Sequence, residues 1–200
     1  MIKLLTIAIG VIGVVTGDVN SAFWDAEIVP DLLDTPPTDE LEVIYPGEKK
    51  VSLGEKLTPT EAKDPPEIHY KHEEGTFYTL IMSDPDIPSR SNPTMPEFFH
   101  WTVVNIPEDK ISQGEVVVGY LGPGPPKDSG FHRYILVVYK QPKKLTFDEQ
   151  RISETEAIGR PNQSMKKFAN KYQLGAPIAG SFYEAAYDDY VPLLYKKIGL

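Results

Sequence analysis

Along the 200 residues, apolar positions gather into short runs separated by proline, glycine and acidic residues. Runs at 41–45, 77–82, 101–106, 116–120 and 134–139 are rich in Val, Ile, Tyr, Phe, Trp and Thr, and read as strands. Shorter runs at 51–53 and 68–70 complete the set, the first as a partner to 41–45 across Pro46-Gly47. Helical spacing is confined to the last 40 residues. Met165, Phe168, Ala169 and Tyr172 fall on one face, with Asn162 as N-cap and Gly175 as stop. A second amphipathic stretch covers 185–198, interrupted by Pro192. Residues 18–38 read as an acidic, proline-containing lead-in. The pattern predicts a single mostly-β domain over 18–200, a sandwich or a barrel, with C-terminal helices.

Composition agrees. The chain is 40% hydrophobic and 24% charged, as ordinary globular proteins are, and its 19 prolines suit a loop-rich β architecture. The net charge of −9 argues against a nucleic-acid surface, which needs clustered Lys and Arg. Any anion bound here must be held by local donors against the field of the whole molecule.

The first residues bear on compartment. Lys3 precedes an uncharged run over 4–15, and the small residues Thr16 and Gly17 follow before Asp18. This order is that of a signal peptide over 1–17, cut after Gly17 or, second, after Ala22. The run is too short for a transmembrane segment, which needs roughly 20 apolar residues. The expected location is therefore secreted and extracellular. With no cysteine, the chain has no thiol nucleophile, Cys-ligated zinc or redox pair. Asn162-Gln163-Ser164 is an N-glycosylation sequon, whereas Asn92-Pro93-Thr94 fails on its proline.

Candidate chemistry lies in three loops. Asp84-Pro85-Asp86-Ile87-Pro88-Ser89-Arg90 follows the strongest strand, its prolines pre-ordering two carboxylates. His100 opens the next strand after Phe98 and Phe99. Gly122-Pro123-Gly124-Pro125-Pro126 leads to Ser129-Gly130-Phe131-His132-Arg133-Tyr134, where the glycines permit close backbone approach. Each piece alone also suits a rigid turn or a core histidine. The glycine-rich loop is no P-loop, since no Gly-Lys-Ser/Thr follows. Ser89 and Ser129 lie outside any G-x-S-x-G setting, and no H-x-x-H spacing marks a metal site. No enzyme activity and no metal or other cofactor is expected.

Together the three motifs resemble those of the phosphatidylethanolamine-binding protein family, densely over 77–139 and again at Asp188-Asp189-Tyr190-Val191-Pro192. The resemblance implies an antiparallel β-sandwich with C-terminal helices and an anion pocket. Asp84, Asp86, Pro88, His100, Gly124, Pro125, His132 and Tyr134 would line that pocket, with Tyr190 near the mouth. It further implies binding of phosphate or phospholipid head groups, or alternatively protein contact as a protease inhibitor or signalling modulator. Phe98-Phe99, Ile87 and Pro123 depart from the family pattern at the rim. A phosphate beside two carboxylates needs donors, so His100 and His132, protonated or in the donating tautomer, the Gly124 N–H and the Tyr134 hydroxyl are expected to grip it. Arg133, entering a strand, reads as structural.

Overall fold

The computed structural model describes residues 18–200, so the expected signal segment lies outside the described residues. The chain begins with α1 (Val19–Asp25). The short strands β1 (Asp39–Glu40), β2 (Glu42–Tyr45), β3 (Lys49–Lys50), β4 (Glu55–Lys56) and β5 (Glu67–His69) follow. The long strands are β6 (Phe77–Asp84), β7 (Phe98–Pro107) and β9 (His132–Lys140), with β8 (Glu115–Val118) between the last two. Then come α2 (Met165–Lys171), β10 (Ala179–Ala185) and α3 (Val191–Lys197).

The larger sheet runs β1-β10-β9-β6-β7-β8, with β4 also pairing to β10; a smaller sheet runs β3-β2-β5. The centre of the larger sheet is antiparallel, but β1 and β4 both lie parallel to β10. The sheets are therefore open and the larger one mixed, and the wholly antiparallel sandwich expected from the sequence holds only as a mostly-β fold with short helices.

Successive side chains on a strand point to opposite faces. Leu80, Met82, Leu136 and Val138 pack with Val43 and Ile68 of the smaller sheet. Ile81, Ile135 and Val137 pack on the other face with Phe23 of α1 and Met165 and Phe168 of α2. Burial on both faces explains why 134–139 is an unbroken apolar run rather than an alternating one.

Several expectations need correction. The 18–38 lead-in contains α1, capped by the Asp18 side chain and anchored by buried Val19 and Phe23, four residues apart. The partner of β2 is β3 at Lys49–Lys50 rather than 51–53. Ser164, not Asn162, caps α2, its side chain accepting from the Lys167 N–H. The 185–198 helix is really β10 ending at Ala185 and then α3, whose first turn holds Pro192. Proline there starts the helix, because the first-turn N–H has no intrahelical partner to lose.

Candidate functional site

Antiparallel pairing assembles the site. The C-terminal end of β6 lies beside the N-terminal ends of both β7 and β9, so Asp84, His100 and His132–Tyr134 meet at one end of the sheet. A bulge aims His100. Met82 faces Trp101 and Ser83 faces Phe99, which leaves His100 as the extra residue on β7. Its freed carbonyl accepts from the Leu121 N–H at 2.9 Å and from Arg160 at 3.2 Å.

A cavity of about 400 Å³ opens here, with Asp84, His100 and Tyr134 at its polar end. Its apolar walls come from Phe98, Leu121, Leu194 and Ile198, and the rim carries Ile158, 85% exposed, with Met95 and Leu200. Pro88 and Gly124 also line it. A Cβ on Gly124 would stand 2.9 Å from Leu194, so the glycine lets α3 close over this loop, and the Tyr195 hydroxyl donates to the Gly124 carbonyl at 2.9 Å. Arg160, 0% exposed, donates to the carbonyls of Phe99, His100, Gly119 and Ser153, pinning the loop that carries Ala157 and Ile158.

The predicted residues divide into two groups. Asp84, Pro88, His100, Gly124 and Tyr134 reach the cavity; Asp86, Pro125, His132 and Tyr190 do not line it. Asp86 instead forms a bidentate pair with Arg133, at 2.6 and 2.9 Å, and accepts the Arg133 backbone N–H at 2.8 Å. Arg133 also donates to the Ala26 carbonyl, tying this end of the sheet to α1. The structural reading of Arg133 thus holds. Pro125 is buried, and Tyr190 packs beside Leu121 and Leu194.

His132 is 0% exposed and fully committed. Its Nδ1 lies 2.9 Å from Asp84 Oδ2 and its Nε2 2.9 Å from Ser129 Oγ. Ser129 Oγ stands 2.7 Å from the Pro126 carbonyl, a pure acceptor, so the hydroxyl proton points there. His132 Nε2 must then donate to Ser129. With Asp84 Oδ2 against the other nitrogen, both ring nitrogens are engaged within the protein. This order resembles a Ser-His-Asp relay, yet its serine proton is spent on Pro126 and neither Ser129 nor His132 faces the cavity.

His100 differs. Its Nδ1 is 2.8 Å from the Leu121 carbonyl, while its Nε2, like the Tyr134 hydroxyl, has no hydrogen-bond partner among the described residues. Burial lowers the His100 pKa to about 4, against the opposing pull of Asp84. Burial likewise raises the Tyr134 hydroxyl well above the usual tyrosine value. Of the two histidines expected to grip an anion, His100 reaches the cavity and His132 does not. Among the described residues, no group of three or more His, Cys, Asp or Glu is placed to hold a metal ion.

Sequence reasoning missed the walls. The Ala157–Pro161 loop and the end of α3 are far from the motifs, and an amphipathic 185–198 stretch was the only available signal. Of the rim departures, Phe98 and Ile87 do line the cavity, Phe98 packing 4.9 Å from the His100 ring.

Comparison with known proteins decides the family. The family model described as phosphatidylethanolamine-binding protein matches residues 47–183. The chain belongs to the phosphatidylethanolamine-binding protein family. It is 40% identical over 181 residues to "Putative odorant-binding protein A5" of Drosophila melanogaster, covering 90% of this chain and 86% of that one. Among solved structures, the solution structure of CG7054 is 43% identical with a TM-score of 0.71, covering 86% of this chain and 97% of that one. A carboxypeptidase Y inhibitor in complex with its proteinase shares the fold at 24% identity and a TM-score of 0.74, over 88% of this chain and 98% of that one. Among the described residues, no helix is long and apolar enough to cross a membrane.

Proposed function

We propose that this family member is a secreted, non-catalytic carrier that holds one small amphiphilic molecule in the cavity at the end of the larger sheet. The observation that carries this reading is a roughly 400 Å³ space with polar atoms at one end and apolar walls elsewhere. That is the form of a small-molecule site. The ligand's polar end sits at Asp84, His100 and Tyr134, and its apolar part lies between α3 and the Ala157–Ile158 loop. The odorant-binding name of the Drosophila relative agrees with such a role. Protease inhibition, the alternative expected from the sequence, rests only on fold likeness to the carboxypeptidase Y inhibitor.

The test is fluorescence of N-phenylnaphthylamine added to the purified protein. Emission should rise on binding, and Ala157→Trp, which fills the cavity mouth, should abolish the rise while leaving the circular dichroism spectrum intact. Equal enhancement by the folded variant would place the probe elsewhere and sink the reading. Secretion has its own check. A cut after Gly17 leaves Asp18 in place as the α1 cap, whereas a cut after Ala22 would divide α1 and remove buried Val19. The intact mass of the secreted protein should therefore begin at Asp18, and should include a glycan if exposed Asn162 is modified.

A further inference from the structure

A second pocket lies away from the end cavity, on the α2 side of the larger sheet. Tyr139, at its floor, is five residues along β9 from Tyr134, roughly 17 Å at strand spacing. The space is about 300 Å³, bounded by residues 33–35, α2 and residues 175–177. Its polar groups have bonds to spare. Tyr139 is 1% exposed, and its hydroxyl has no hydrogen-bond partner among the described residues. Burial, then the nearby charges of Glu97 and Asp34, hold that hydroxyl above the usual tyrosine range, so it keeps its proton. Asp34 stands on the rim, which puts the hydroxyl end of the ring toward the pocket. Lys166 donates to the Pro30 carbonyl at 2.8 Å and pairs with Asp34 at 2.8 Å. One of its three ammonium protons and the second Asp34 oxygen are left over. Thr35 and Asn170 add a hydroxyl and an amide whose side chains make no hydrogen bond among the described residues.

We infer that this pocket is a second binding site, for one neutral polyhydroxyl molecule the size of a sugar ring. Its two charges are opposite and already paired, so it presents no net charge to a ligand. A lone anion would meet the Asp34 carboxylate and a lone cation the Lys166 ammonium, while a zwitterion would have to part the two. A sugar hydroxyl both donates and accepts. It can accept from Lys166, donate to Asp34 and do either at Tyr139, Thr35 and Asn170 while the ion pair stays closed. Leu33, Ala169 and Pro177, all buried, give the C–H face of a ring an apolar seat. The volume is that of about ten waters at roughly 30 Å³ each, room for a six-membered ring and its hydroxyls. The site shares no lining residue with the end cavity, so it stands whether or not that cavity carries a ligand.

Proton–nitrogen-15 correlation NMR of the purified protein tests this, titrated with the methyl α-glycosides of D-glucose, D-mannose and D-galactose. At least one should shift the amides of Thr35, Asn170 and Ala176 saturably at millimolar concentration. Glycine and sodium acetate, titrated alike, should leave those amides unmoved. Tyr139→Phe removes a hydroxyl that no described residue uses, so the fold should survive. Affinity for the glycoside should then fall about fivefold, the effect of one hydrogen bond. Asn170→Ala, at an exposed position of α2, should cost a similar factor and carries the comparison if the tyrosine variant unfolds. Maltotriose separates two sources of such a ring: saturation of the same amides marks the end of a glycan chain, and silence a free monosaccharide. No saturable shift with any of the three glycosides, unchanged affinity in the folded variants, or tighter binding of glycine or acetate overturns the inference. Shifts confined to Leu121 and Ile198 would place the sugar in the end cavity and overturn it too.

Discussion

Glu97 is a buried carboxyl whose titration should be visible in the stability of the protein. It is 5% exposed and sits just before β7, where it accepts the Met165 N–H at the start of α2 at 3.2 Å and the Ser83 hydroxyl at 3.3 Å. A negative charge suits a helix N-terminus, but loss of water outweighs this and raises the pKa from 4.5 to about 7. The native state therefore holds the Glu97 proton more tightly than the unfolded chain. Its stabilising contribution is complete below about pH 4.5 and is lost as pH rises through 7, by about 3 kcal/mol in all. His100 runs the other way. With its pKa lowered from 6.5 to about 4, its contribution is present above pH 6.5 and lost as pH falls toward 4. The wild-type profile alone would show the two trends partly cancelling. Urea unfolding of wild type and Glu97→Gln between pH 4.5 and 8 separates them, because the amide keeps the acceptor but does not titrate. The stability of wild type relative to Glu97→Gln should fall by about 3 kcal/mol across that window. Parallel profiles, or a wild type that gains on the variant as pH rises, would refute the burial argument.

Other substitutions test the scaffold of the site. Asp86→Asn leaves the buried Arg133 guanidinium without its carboxylate, and urea unfolding should show a loss of about 3 kcal/mol or more. Arg160→Lys cannot reproduce a fork that serves four or more carbonyls. A stability loss of about 2–4 kcal/mol should accompany faster amide exchange at Gly119, Leu121 and Ile152. Gly180→Ala puts a Cβ against Pro37 and 2.8 Å from Phe23, so the thermal midpoint should drop by an amount equal to about 1–3 kcal/mol; an unchanged midpoint would mean that α1 yields freely.

How far the fold was legible depended on where each segment finds its partners. β6, β7 and β9 announce themselves because both faces are buried and their residues are β-branched or aromatic. β10 does not. Its Ala179, Gly180 and Ser181 have weak strand preference, and Gly180 is small because α1 and Pro37 press against it. Nothing near β10 in sequence reports those contacts. α1 is similarly hidden, two turns with only Val19 and Phe23 as buried anchors. Pro192 misled because proline breaks a helix interior yet favours a first turn, and the two cases differ only in where the helix begins.

The site shows the same division between what motifs carry and what distant partners decide. Asp84, His100, His132 and Tyr134 were recognisable together, and antiparallel pairing does bring them to one end of the sheet. Their roles were not recognisable, because a histidine's role depends on what its two nitrogens touch. His132 is spent between Asp84 and Ser129, while His100 is fixed by one backbone carbonyl, that of Leu121, 21 residues away. Motif spacing lists the histidines as equals, and the expectation that both rings line the pocket followed from that equality. The bulge on β7 breaks it. One unpaired residue sets the His100 ring at the cavity, with its Nδ1 held by the Leu121 carbonyl. An insertion or deletion next to Phe99 that restored regular pairing would turn His100 to the other face, taking it out of the cavity without touching any motif residue.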